Sequence, residues 1–167
     1  MTNLQKRIFT SLIALPLSIF FVVKGGYFLI FFLIFVLFVG MHELFTVFKK
    51  KKSILFLSLI LILSLYSIYY LSERADYLLY FAIAITISSD VGGYVFGKIF
   101  KWKKLTKISP KKTISGVFGS YFFSIICLFI FNEFYSYEQI TVKNFLMTII
   151  FSTVAQVGDL IISYFKR

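Results

Sequence analysis

Asp90 stands inside residues 77–100, YLLYFAIAITISSDVGGYVFGKIF, a stretch otherwise apolar enough to cross a bilayer. An ionised carboxylate at membrane depth is costly, and it normally faces a bundle interior or a water-filled cavity, which marks a functional site. On a 3.6-residue period Thr86, Asp90, Gly93 and Gly97 fall on one face, where the glycines let a backbone or a ligand come close. The competing reading is a carboxylate that simply reaches the cytoplasmic interface. A second carboxylate, Asp159, centres a stripe of Ser152, Gln156, Asp159, Ser163 and Lys166 that recurs at four- and three-residue steps on the last apolar segment. Polar residues in a span often only join helices, so packing is the alternative there. Between the two segments, Ser109-Pro110 reads as an N-cap followed by proline at the first helical position, with Lys111 and Lys112 in the first turn. Lysine there is unfavourable to the helix itself, so free N–H groups and positive charge together suit an anion, most simply phosphate. The alternative is that these lysines are topology signals alone. Two carboxylates on separate helices beside such a helix start suit Mg²⁺, which is held by one or two carboxylates and leaves its other positions to water and phosphate. The chemistry implied is phosphoryl or nucleotidyl transfer at a membrane surface.

The elements that must position these residues are transmembrane helices. Of 167 residues, 59% are hydrophobic, 21% aromatic and 15% charged, and the mean hydropathy is +0.89, more apolar surface than a water-soluble domain of this size can hide. The apolar residues are bunched into runs long enough to span, at about 8–24, 27–48, 54–72, 77–100, 114–131 and 144–165. The fold class expected is all-α, a single polytopic domain over 1–167 with about six spans. The first span is the shortest, is interrupted by Pro16, and reads as a retained helix because no small-residue cleavage site follows it. The lone cysteine, Cys127, precludes an intrachain disulfide and reads as a small hydrophobe; one Cys and one His form no zinc site.

Charge sets the orientation. With a cytoplasmic N-terminus, 15 of the 18 Lys and Arg residues fall inside, against Lys24, Arg74 and Lys143 outside, so N-in, C-in topology with a cytoplasm-facing site is expected. The same distribution accounts for the net charge of +11 through anionic headgroups rather than nucleic acid.

Three stretches resemble the phosphatidate cytidylyltransferases, also called CDP-diacylglycerol synthases. Ser89-Asp90-Val91-Gly92-Gly93-Tyr94 with Gly97-Lys98 looks like S-D-x-G-A/G-Y-x-x-G-R/K. Lys104-Leu105 with Ile108-Ser109-Pro110-Lys111-Lys112-Thr113 is similar to K-L-x-x-x-I-S-P-x-K-T. Gln156-Val157-Gly158-Asp159-Leu160 with Ser163 and Lys166-Arg167 is similar to Q-x-G-D-L-x-E-S-x-x-K-R.

The resemblance implies transfer of CMP from CTP to phosphatidic acid, giving CDP-diacylglycerol and pyrophosphate, with Mg²⁺ as cofactor. Asp159 and Asp90 would serve as metal and catalytic residues, and Lys111 and Lys112 would face phosphates. Ser109, Thr113, Gln156, Lys166, Arg167 and Lys98 are the candidate substrate-binding residues. The chain departs from the pattern at Ser115 and Ile162, where two family glutamates are expected. A further signature, K-D-x-x-x-x-x-P-G-H-G-G-x-x-D-R-x-D, is expected after Lys166-Arg167, so a C-terminal segment or second chain would complete the site and this chain alone would be inactive. The other partners expected are membrane lipids and a second copy in a homodimer, in a bacterial-type inner membrane. Rival readings are a CTP-dependent lipid kinase of the polyprenol type, or a small transporter or assembly subunit without enzymatic activity.

Overall fold

The computed structural model describes residues 3–106, 109, 112–135 and 140–165, with side chains from Leu12 onward. Among the described residues six helices run in order: α1 (Asn3–Lys24), α2 (Gly26–Val47), α3 (Lys51–Arg74), α4 (Asp76–Phe100), α5 (Ile114–Tyr135) and α6 (Val142–Phe165). Many of their residues are Phe, Ile and Val, which favour strands in water, but a segment in hydrocarbon must satisfy every backbone group internally, and a helix does so. Helices α2 to α6 are each long and apolar enough to cross a membrane. The 22 residues of α2 rise about 33 Å, against a hydrocarbon core of about 30 Å. This is a polytopic all-α membrane protein. The first helix differs from the other five in carrying a proline, Pro16, inside it.

The chain forms two compact units, residues 1–76 and 77–167. In the first, α1 turns into α2 at Gly25 and Gly26, whose φ values of 63° and 52° need glycine. Phe21 of α1 stacks on Phe32 of α2 with ring centroids 5.2 Å apart, and Gly40 of α2 receives the Leu61 side chain of α3.

The second unit holds every described site residue read from the sequence and is polarised along its length. At one end, Phe81 and Ile85 of α4 and Leu128 of α5 are buried together, with Phe131 and Phe151 packed against them. Cys127 is half-buried on the same cluster, as a small hydrophobe. Toward the other end the buried residues become small and hydroxylic: Ser89 and Gly92 on α4, Gly116, Gly119, Ser120 and Ser124 on α5, and Ser152 on α6. Here α4 and α5 meet backbone to backbone. A Cβ at Gly92 would lie 2.3 Å from the Gly119 carbonyl oxygen, and one at Gly119 would lie 2.5 Å from that of Gly92. Small residues at an interface permit this approach between helices in lipid.

The 101–113 connection folds back on itself. Lys104 and Thr113 form an isolated antiparallel bridge, Leu105 N–H donates to Lys112 O (2.8 Å), and Ile114 N–H donates to Lys103 O (3.0 Å). The helix after this loop starts at Ile114 rather than at Ser109-Pro110. Its N-cap is Thr113, whose Oγ1 accepts from Gly116 N–H at 3.1 Å. Ser109 instead closes a turn: its N–H donates to Thr106 Oγ1 and its carbonyl accepts from Lys112 N–H. Lys112 therefore precedes the helix, and Pro110 and Lys111 lie outside the described residues.

Candidate active site

The fold brings Asp90 from α4 and Asp159 from α6 to one cavity of about 240 Å³ at the hydroxylic end of the second unit. The α5 N-terminus contributes Lys112, Thr113 and Gly116 to its wall, and α6 adds Gln156. Of the predicted site residues, Asp90, Asp159, Lys112, Thr113 and Gln156 meet here. Lys98 does not: its ammonium lies 5.7 Å from the centre of the Tyr94 ring, while Tyr94 itself lines the cavity. Ser109 is buried in its turn and does not line the cavity. Lys111, Lys166 and Arg167 lie outside the described residues.

Lys112 links the walls. Its Nζ lies 3.1 Å from Asp159 Oδ2 and donates to the Gln156 carbonyl at 3.1 Å. The Asp159 side chain is 62% exposed and that of Lys112 25%, so this ion pair sits at the open side of the cavity. Asp90 is within electrostatic reach of both Asp159 and Lys112.

Beneath the carboxylates runs a buried hydroxyl network. Ser89 Oγ and Ser152 Oγ are 2.9 Å apart, Gln156 Nε2 donates to Ser152 Oγ at 3.3 Å, and Ser120 Oγ donates to the Ser89 carbonyl at 2.8 Å. Ser89 and Ser120 also line the cavity. Ser120 was invisible to a search for charged residues; its signal is the run of small residues on α5 at Gly116, Gly119, Ser120 and Ser124. Thr86, read as part of the polar face of Asp90, spends its hydroxyl on the Ala82 carbonyl of its own helix. Ser115, standing where the resemblance expects a glutamate, is buried and shares a hydrogen bond with Thr113 Oγ1 at 3.0 Å.

Among the described residues no three His, Cys, Asp or Glu side chains cluster as a metal cage. The two carboxylates on one cavity, in a wall that also holds Ser89, Thr113, Ser120 and Gln156 with no Cys or His, are nevertheless donors of the hard, oxygen type. That fits Mg²⁺, which commonly takes one or two protein carboxylates and fills its octahedron with water and phosphate.

Residues 54–167 match the family model of the cytidylyltransferase family, and the chain belongs to that family. Among curated proteins it is similar to the phosphatidate cytidylyltransferase of Staphylococcus epidermidis strain RP62A, 39% identical over 97 residues, which cover 58% of this chain and 37% of that protein. The Staphylococcus haemolyticus protein of the same name is 37% identical over 103 residues, 59% of this chain and 39% of that one. That of Staphylococcus aureus strain COL is 39% identical over 97 residues, 58% and 37%. The chain thus matches less than two-fifths of the length of these relatives. No solved structure matches it significantly.

Proposed function

We propose that this chain forms part of a membrane phosphatidate cytidylyltransferase that joins CTP to phosphatidic acid, releasing pyrophosphate and leaving CDP-diacylglycerol in the bilayer. The observation that carries the reading is the meeting of Asp90, Asp159 and Lys112 on one cavity in a transmembrane helix bundle. The names of the staphylococcal relatives support it.

In this reading a phosphate oxygen of phosphatidic acid attacks the α-phosphorus of CTP. The bond from that phosphorus to the bridging oxygen breaks, and the electron pair leaves with pyrophosphate. Mg²⁺, when bound, supplies charge neutralisation to the transferred group and the leaving group. Asp159 and Asp90 are the residues that would hold it, through carboxylate oxygens. Lys112, with Lys111 beside it in sequence, offsets phosphate charge, in a cavity that Thr113 and Gln156 also line. The site opens to the cytoplasm, where the 15 cations of the inner loops would lie under the N-in, C-in topology. Two carboxylates are the usual protein share of Mg²⁺ ligation, and a further segment or a second chain, for which the greater length of the relatives leaves room, would add groups that fix its position.

The test uses CTP labelled at either the α- or the γ-phosphate, phosphatidic acid, and the chain completed by the C-terminal segment of a staphylococcal relative. Label from the α-position enters the lipid and label from the γ-position leaves as pyrophosphate. Transfer of γ-label to lipid would show a kinase instead, and no transfer of either label would remove the enzymatic reading.

A further inference from the structure

Lys112 has partners at its backbone and at its ammonium. Its N–H donates to Ser109 O, its carbonyl accepts from Leu105 N–H, and the next residue caps α5. Its ammonium reaches across to α6, to the Gln156 carbonyl and to Asp159 Oδ2, both at 3.1 Å. The cation suited to a phosphate is therefore paired with the carboxylate suited to a metal ion. Neither group can give its full charge to a ligand while the pair is intact, and the pair stands at the wet side of the cavity, where it separates at modest cost.

We propose that Lys112 and Asp159 are exchange partners: they neutralise one another in the free site, and a polyphosphate drawing on Lys112 or a divalent cation drawing on Asp159 each frees the other group for the second ligand. The inference rests on the cytidylyltransferase reading of this cavity and adds an order to it. Whichever ligand binds first bears the cost of opening the pair, and the second does not, so the two bind with positive and reciprocal coupling. A pair as exposed as this one sets that coupling at a factor of about two to five.

The experiment measures equilibrium binding of labelled CTP in detergent with a chelator present, so that no divalent cation takes part. Wild type is compared with Asp159→Asn, Lys112→Met and the double variant. Asp159→Asn is expected to bind metal-free CTP about two- to fivefold more tightly than wild type, because Lys112 is released. Lys112→Met binds it more weakly, and the gain from Asp159→Asn vanishes in the Lys112→Met background. In the converse arm, Mn²⁺ without nucleotide binds Lys112→Met about two- to fivefold more tightly than wild type. Lys112→Arg, which keeps the charge, retains the wild-type pattern, and circular dichroism reports helix content for each variant. A gain from Asp159→Asn that persists undiminished in Lys112→Met reflects simple repulsion of the nucleotide and overturns the exchange. Unchanged or weakened Mn²⁺ binding by Lys112→Met overturns it as well. Wild type that binds no CTP, with or without Mg²⁺, overturns the reading of the site and the exchange together.

Discussion

Ser89 of α4 and Ser152 of α6 are both fully buried, and their hydroxyl oxygens lie 2.9 Å apart. The first directly precedes Asp90, and the second accepts a hydrogen bond from Gln156, one turn before Asp159 comes into the cavity. This single contact ties the two carboxylate-bearing helices together at the floor of the site. Removing the Ser152 hydroxyl takes away the bond to the buried Ser89 Oγ and the acceptor of Gln156 Nε2, so Ser152→Ala should lower stability by about 1 kcal/mol. The double variant Ser89→Ala/Ser152→Ala should cost less than the sum of the two single changes. Denaturant titration in detergent measures all three, and strictly additive losses would show that the hydroxyls do not interact.

Backbone contact between α4 and α5 gives a sharper contrast. Gly92→Ala drives a methyl group into the Gly119 carbonyl and should cost about 1–3 kcal/mol through helix displacement. Gly158→Ala on α6 meets nothing within 4 Å and should stabilise by up to about 1 kcal/mol through helix propensity. The same titration compares them, and equal effects would contradict the packing described.

The loop that carries Lys112 should be cytoplasmic. With Cys127 replaced by alanine, a cysteine at Lys104, which is exposed, should resist an impermeant thiol reagent in intact cells and react in inside-out vesicles. Labelling from outside intact cells would reverse the topology.

Activity should need more carboxylates than Asp90 and Asp159. Purified alone with CTP, phosphatidic acid and Mg²⁺, the 167-residue chain should give no measurable CDP-diacylglycerol, and a C-terminal segment from a staphylococcal relative should restore it. The triphosphate and phosphatidate together bring several negative charges, which transfer requires to be offset by positioned cations. Robust turnover by the chain alone would show that two carboxylates suffice.

Much of this was legible in the sequence because lipid simplifies the problem. Long apolar runs have only the helix open to them, so the six helices and their order follow from hydropathy, and five of them are long and apolar enough to span among the described residues. Asp90 and Asp159 declare themselves by being charged where charge is costly. What was not legible is what depends on tertiary contact. The span from about 114 was legible, but the cap was not: it is Thr113 rather than Ser109, in a loop held by the Lys104–Thr113 bridge, and local propensity carries no trace of that pairing. The buried face of α4 runs through Phe81, Ile85, Ser89 and Gly92, one step round the helix from the Thr86, Asp90, Gly93 and Gly97 face. The close approach expected at Gly93 and Gly97 is present, against Ser120 and Thr113, and Ser152 of the α6 stripe bonds Ser89, whereas Gly119, Ser120 and Ser124 of α5 carry no charge or stripe that marks them.

The central claim is that Asp159 and Asp90 serve one reaction centre, with Asp159, the partner of Lys112, contributing more. The most direct measurement is the initial rate of CDP-diacylglycerol formation by the completed protein carrying Asp159→Asn or Asp90→Asn, each isosteric and each neutral. Loss of a positioned metal ligand removes several kcal/mol of transition-state stabilisation, so the rate should fall about 10²-fold or more in Asp159→Asn and by less in Asp90→Asn. Wild-type turnover by Asp159→Asn, with the protein folded and its product verified, would contradict the account.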